Sequence, residues 1–392
     1  MTLLQTFMVV ALPITGMCYA ILGALKLPLA DRLQLNEAKV GGLVSAFGLM
    51  VGPIILAAGF LTDALGRKGI MVAGALLVMT SLLLLSRTRR YGTALLAVAM
   101  LSAGWAAMIN VANVLMYMAY DSVFMATNQL DALFGLGAFL TPVLVTPLLR
   151  RFGFSWGVSF FGALAAIPAV FALFVNMEAL PSGDSAVLLT FRELISDPVM
   201  WLCGLSLMLW APLESSTAAW TTTFVTKVSP AGEAEARAKR IAGLTLSGFW
   251  LGFMASRIVA AVIYHNFDNI PEVESARYVH IVIACLAIAT VTVIVKSRSR
   301  KLTIGAILFA GLIYGPFFPN LMALLLSHFP VEVHGRAVGV LFACASVGWT
   351  VIPLVIGTVA KRTSINRGFV VAIVDGVLLL VVVVAHLIYA AS

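Results

Sequence analysis

Charge is what this chain has least of. Of its 392 residues only 11% are Asp, Glu, Lys or Arg, against about a quarter in soluble globular proteins. Hydrophobic residues make up 61%, and the mean hydropathy is +1.04. So few charges cannot clothe so much apolar surface, which excludes a water-soluble globule and requires an integral membrane protein. Cysteine is scarce too. Cys18, Cys203, Cys285 and Cys344 lie in four separate apolar segments, and no C-x-x-C occurs. That argues against a disulfide framework or a thiolate metal site and makes all four small buried hydrophobes. Also missing are G-x-S-x-G, H-E-x-x-H and G-x-x-x-x-G-K-[ST]. The chain is therefore expected to be neither an enzyme nor an ATP-driven pump, and to need no cofactor and no metal. No basic leader precedes the first apolar run, which begins almost at Met1 and reads as a span, not a cleaved signal.

Abundant instead are continuous apolar runs of about 20 residues, the length that crosses a bilayer as a helix. Six lie near 5–27, 40–61, 69–86, 93–117, 128–149 and 155–176. A polar stretch follows, containing Pro181, Ser182, Gly183 and Asp184. Six more lie near 199–226, 241–264, 278–296, 303–326, 336–359 and 369–390. A membrane barrel would show alternating segments of about ten residues, so these are helices. The fold class is all-α, with twelve transmembrane helices. Its expected domains are an N-terminal six-helix bundle over 1–177, a linker over 178–197 and a C-terminal six-helix bundle over 198–392. The surplus of 25 basic over 17 acidic residues sits in short loops. Membrane lipids with acidic headgroups are its natural partners, and nucleic acid is not.

The chain is organised around the hinge Gly59-Phe60-Leu61-Thr62-Asp63-Ala64-Leu65-Gly66-Arg67-Lys68 between the second and third spans. Its glycines permit a tight turn, and Asp63 stands near a helix end with Arg67 and Lys68 available as charge partners. The spacing G-x-x-x-D-x-x-G-R-K resembles the signature between the second and third helices of the major facilitator superfamily. That resemblance implies two pseudo-symmetric six-helix bundles with a substrate site between them near the bilayer midplane, and a gating role for Asp63, Arg67, Lys68 and Arg257. It also sets the hinge on the cytoplasmic side. The basic residues of the opposite loops, among them Arg87, Arg89, Arg90, Arg150, Arg151, Arg298 and Arg362, favour that opposite side for the cytoplasm by the positive-inside rule. The position of the motif in the family fold is taken as the guide, with the bacterial inner membrane as the expected location.

Polar groups inside spans are functional candidates by default. Asn110 and Asn113 share one face of the fourth span, with Trp105 and Tyr117 on nearby turns. Their amides suit a hydroxyl-rich ligand, and equally a hydrogen bond between packed helices. In the fifth span, Asn128-Gln129-Leu130-Asp131 leads into Phe134-Gly135-Leu136-Gly137-Ala138 and Pro142. This resembles the N-x-x-H/Q-x-x-F-G-x-G-A-x-x-x-P pattern of the fucose–glucose:proton symporter branch of the superfamily, with Asp131 where His or Gln is usual. Glu214 and Trp220 in the seventh span, Phe249-Trp250 through Arg257 in the eighth, Gly315-Pro316-Phe317-Phe318-Pro319-Asn320 in the tenth, and Gly348 with Pro353 in the eleventh resemble the same branch. The acid that the branch often carries four residues before the asparagine matched by Asn113 is here Ile109.

The branch resemblance implies a secondary transporter of a monosaccharide or related polyol working by alternating access as a monomer. Its solute is contacted by Tyr19, Asn110, Asn113, Asn128, Glu214, Trp220, Tyr314, Phe318 and Asn320, with Thr15 also facing the cavity. A proton, or sodium, is the implied coupling ion, with Glu214 or Asp131 as proton carrier and Glu214 weighed against a structural ion pair with Arg257. Rival readings are an uncoupled facilitator, an exporter of amphipathic compounds or organic anions, and a membrane-bound sensor or scaffold. Lys26 is expected to snorkel to the headgroups, and His280 and His386 to sit at the interface. Asp375 lies inside the last span and requires a partner that the sequence does not reveal.

Overall fold

A computed structural model describes residues 1–35, 37–178, 190–230, 232–267 and 271–391. Among them are helices and no strand. The helices are α1 (Leu3–Leu33), α2 (Glu37–Leu65), α3 (Arg67–Arg87), α4 (Tyr91–Ala119), α5 (Val123–Ala172), α6 (Phe191–Ser196) and α7 (Pro198–Lys227). They continue as α8 (Glu235–Asn266), α9 (Glu272–Lys296), α10 (Arg300–Tyr314), α11 (Phe317–His328), α12 (His334–Arg362), α13 (Ile365–Gly368) and α14 (Val370–Ala391). A single 3-10 turn, Val331–Val333, precedes α12.

Among the described residues, eleven helical segments are long and apolar enough to cross a membrane. One of them, α5, has 50 residues and holds two spans, because Gly153 at φ 77° breaks the helical path. Twelve crossings result, each close to its expected run. Glycine is required at that break because an L side chain rarely adopts a positive φ. Polar chemistry marks the helix ends. Thr2 and Gln5 form a reciprocal capping box at the start of α1, and Asp197 caps α7 with Pro198 following at its first position. Within the spans, Thr15, Thr141, Thr217, Thr221 and Thr245 return their hydroxyls to carbonyls one turn earlier. That satisfies each hydroxyl without a partner helix. Leu251, Leu354, Val381 and Ile388 lie more than 60% exposed, which a bilayer accommodates and water does not.

The chain separates into two compact units, residues Met1–Leu194 with Leu326–Ala343, and Ile195–Leu325 with Cys344–Ser392. In the first, α1 packs along α5, α3 lies against α4 and α5, and α2 against α4. The α1–α5 approach is backbone to backbone: a Cβ on Gly137 would overlap the carbonyl of Pro13. Small residues allow this closeness, which drives helix association in lipid. In the second, α14 packs on α7 and α9, α8 on α10 and α7, and α9 on α10. Most of the expected linker over 178–197, including Pro181 to Asp184, lies outside the described residues; its end forms α6, where Phe191 meets Phe60 at 4.8 Å between ring centroids.

Candidate functional site

The charged hinge closes on the start of α12. Asp63 ends α2, and its carboxylate accepts from the Gly335 and Arg336 backbone N–H groups, each at 3.0 Å, and from Arg336 Nε at 2.9 Å. Two amides of a helix N-terminus and a guanidinium are the donors that best stabilise a withdrawn carboxylate. Backbone approach here depends on glycine, since a Cβ on Gly335 would overlap Asp63 Oδ1 and crowd the Gly59 carbonyl. Around the same turn, Asn110 Nδ2 donates to the Gly335 carbonyl at 3.0 Å. The buried His334 ring meets the Tyr117 ring at 4.7 Å, and its Nε2 bonds the Phe329 carbonyl at 2.8 Å.

Arg67 and Lys68 hydrogen-bond backbone carbonyls, and Arg67 stands near enough to Glu178, Asp63 and Glu332 to feel their charges. After the turn at Gly66, φ 87°, Arg67 donates to the carbonyls of Met177 at 3.3 Å and Val331 at 3.1 Å, and Lys68 to that of Leu173 at 3.4 Å. The ion-pair partner of Asp63 is Arg336, 273 positions away. Asp63 and Arg336 are thereby joined with Arg67 into one cluster across α2, α3 and the 329–336 segment.

Elsewhere in the first unit, Tyr19 is 44% exposed and packs against Trp105, Phe134 and Phe47 at 5.1, 5.9 and 6.2 Å between centroids. This four-ring cluster brings together α1, α2, α4 and α5. Asn113 and Asn128 are buried and donate to carbonyls four residues earlier on their own helices, Ile109 and Phe124. Asp131 is 5% exposed, one turn beyond Asn128. Thr15 is buried with its hydroxyl on the Ala11 carbonyl, and Lys26 is exposed.

In the second unit, α10 and α11 are interrupted at Gly315-Pro316, and the freed Gly315 carbonyl accepts Arg257 Nε at 2.9 Å. Arg257 is buried and its guanidinium lies 4.2 Å over the Phe253 ring. Below the break, Trp210 stacks on Phe317 at 4.2 Å and meets Tyr314 edge-on at 4.9 Å. Tyr314 is fully buried, with its hydroxyl near Thr217, Thr290 and Glu214. It therefore presents no open ring face to a solute. Glu214, Trp220 and Phe318 are half-buried. Trp220 meets Phe369 edge-on at 5.7 Å. Asn320 is buried, bonds the Tyr264 side chain, and borders a largely apolar cavity of about 550 Å³ between α8, α9 and the α10–α11 break.

Two sequence expectations need correction. His280 and His386 are 1% and 3% exposed, and His280 Nε2 bonds the Phe317 carbonyl at 3.1 Å, so both are core residues and not interfacial ones. Cys18 and Cys203 are buried, but Cys285 is exposed and Cys344 half-buried, because the lipid surface takes an apolar thiol as readily as the core. The Asn110 side-chain nitrogen makes a hydrogen bond between packed helices, and its oxygen is buried without a partner among the described residues. Sequence reasoning missed Arg336 and His334. The available signal was a cation and a glycine in the first turn of a span.

The fold resembles those of several solved transporters. The similarity to FucP in the outward conformation has a TM-score of 0.79 at 14% identity, covering 97% of this chain and 98% of that one. The human organic anion transporter MFSD10 matches at 0.73 and 15%, covering 97% of this chain and 99% of that one. A bacterial homologue of the iron transporter ferroportin matches at 0.77 and 12%, covering 97% and 98%. In sequence, the chain is 21% identical over 338 residues to Bypass of stop codon protein 6 of Saccharomyces cerevisiae, covering 76% of this chain and 65%, under two thirds, of that protein's length. The sequence model of the Major Facilitator Superfamily matches residues 7–353, and with the hinge, the twelve crossings and the fold in agreement, the chain belongs to that superfamily of membrane transporters.

Proposed function

We propose that this transporter is a secondary active carrier of a small polar solute, a monosaccharide or related polyol, which alternates access to its site between the two faces of the membrane and is coupled to protons. The observation that carries this reading is Glu214. It stands in the body of α7, half-buried, with Tyr314 near it and the half-buried Trp220 less than two turns on. A carboxylate kept in a span is costly and is retained where an ion or a solute uses it. Asp131 is the second candidate carrier. Tyr19 and Trp220 have accessible ring surface for the apolar face of a sugar. The fold's likeness to the fucose:proton symporter of E. coli, TM-score 0.76 at 14% identity, is consistent with this solute class.

A second reading, transport of an amphipathic organic anion, is favoured by the aromatic character of the Tyr19–Phe47–Trp105–Phe134 cluster and by the likeness to an organic anion transporter. Uptake of radiolabelled sugars into proteoliposomes, with and without an inward proton gradient, separates the readings. Accumulation driven by the gradient and lost in Glu214→Gln supports the symporter. Equilibration without accumulation identifies a facilitator, and movement of organic anions but of no sugar in a broad panel overturns the sugar reading.

A further inference from the structure

The last span carries a carboxyl group that the proposed coupling scheme does not use. Asp375 is 1% exposed, and among the described residues no hydrogen-bond donor reaches either of its carboxyl oxygens. It lies on the buried face of α14 with Ala372, Gly376, Leu379, Val383 and His386. A Cβ on the adjacent Gly376 would touch Ile288 of α9 and Leu213 of α7. Asp375 therefore sits at the level of the α7 turn that holds Glu214, Ser216 and Thr217. On that turn the Ser216 hydroxyl is buried without a partner among the described residues, and the Tyr314 hydroxyl lies near Thr217 and Thr290.

We propose that Asp375 is a proton-binding site, filled and emptied during the working cycle, in the core of the second unit behind Glu214. A bare carboxylate with no donor in a medium this apolar is strongly disfavoured, so its charge must be met by a bound cation. The proton is the cation that fits an isolated carboxyl: it needs one oxygen, whereas a metal ion needs several ligands, and the described residues hold no cluster of three or more His, Cys, Asp or Glu. The step is a simple protonation: a hydronium ion gives its proton to a carboxylate oxygen and leaves as water, and deprotonation is the reverse. Other ionisable groups of the packed helices are placed as follows. Glu214 is at the same level on α7, whose ends carry Asp197 and Lys227; Cys203 lies in the same helix. On α9, His280 and Lys296 stand eight residues to either side of Ile288, Cys285 is exposed, and Glu272, Glu274 and Arg277 occupy the far end. Arg367 belongs to α13, and His386 is eleven residues further along α14.

Proton occupancy at Asp375 stands independently of the solute; its coupling to transport rests on the proton-coupled reading above. The test is infrared spectroscopy of the purified full chain in lipid nanodiscs, titrated from acid to alkaline pH, for wild type, Asp375→Asn and Asp375→Glu. The expected result is a protonated-carboxyl band in wild type that is lost on alkaline titration, absent in Asp375→Asn, and restored at a shifted position in Asp375→Glu. A wild type whose difference from Asp375→Asn is carboxylate at every pH overturns the proposal, as does thermal stability that tracks sodium concentration in wild type and not in Asp375→Asn. Should Asp375→Asn fail to fold, the wild-type and Asp375→Glu titrations alone decide. Loss of gradient-driven accumulation in Asp375→Asn, with solute exchange retained, assigns the proton to coupling. A titrating band with transport indifferent to the gradient keeps the proton site and refutes the coupled reading.

Discussion

Asp63 and Asp375 are both withdrawn from solvent, and they have opposite surroundings. The Asp63 side chain is 8% exposed and receives three hydrogen bonds, one of them from the Arg336 guanidinium. Asp375 is 1% exposed and receives none among the described residues. Removing a carboxylate from water costs its hydration, and only donors or a bound cation restore that loss. Where the fold provides the donors, the carboxylate is a fixed structural lock. Where it provides none, the group is left to a mobile cation. The same side chain thus serves as a clamp at the end of α2 and as a titrating site inside α14.

The strongest way to break the comparison is to deny Asp63 its approach. Gly335→Val would set a side chain on Asp63 Oδ1 and the Gly59 carbonyl; the expected loss is about 3 kcal/mol or outright failure to fold, read by thermal unfolding in detergent and by size-exclusion profile. Next comes the carboxylate itself. Asp63→Asn keeps the shape but not the charge, and is expected to cost about 2 kcal/mol, with transport slowed and solute binding little changed. Uptake at the wild-type rate in Asp63→Asn would remove the hinge from the gating scheme. A double-mutant cycle of Asp63→Asn with Arg336→Ala sharpens the point: a coupling of about 1–2 kcal/mol is expected, since each substitution removes the same pair. Asp375→Asn should have the smallest effect on folding, within about 0.5 kcal/mol, because it exchanges an unbonded group for a neutral one of the same shape. A large loss of stability in Asp375→Asn would mean that a donor holds this carboxyl after all.

Much of the fold was legible along the chain. The twelve apolar runs coincide with the observed crossings, and Gly153, between Arg151 and the next run, marks the one break that joins two spans into a single long helix. The hinge was legible as a place and not as a set of contacts. Its acid was identified, but not its hydrogen-bonded partner Arg336; Arg67 and Lys68 donate to the carbonyls of Met177, Val331 and Leu173. Candidate solute residues were legible by type. Their accessibility was not, since Tyr314 and Asn320 are sealed while Tyr19 is open. Whether a polar side chain in a span faces a neighbour or a cavity depends on the rotation of its helix, which apolar composition on all sides leaves undefined.

Membrane residence and helical class follow from sequence alone. Without water in the bilayer core every backbone amide must be satisfied within its own segment, and that is a local requirement that any run of about 20 apolar residues meets as a helix. The pairing of Asp63 with Arg336 and the isolation of Asp375 are decided at another level. The first joins groups 273 positions apart through a crossing that only glycine permits. The second depends on which face of α14 meets α7 and α9. Both are properties of three-dimensional packing, because a charge in an apolar medium is stabilised by whatever donors surround it in space and not by its neighbours along the chain.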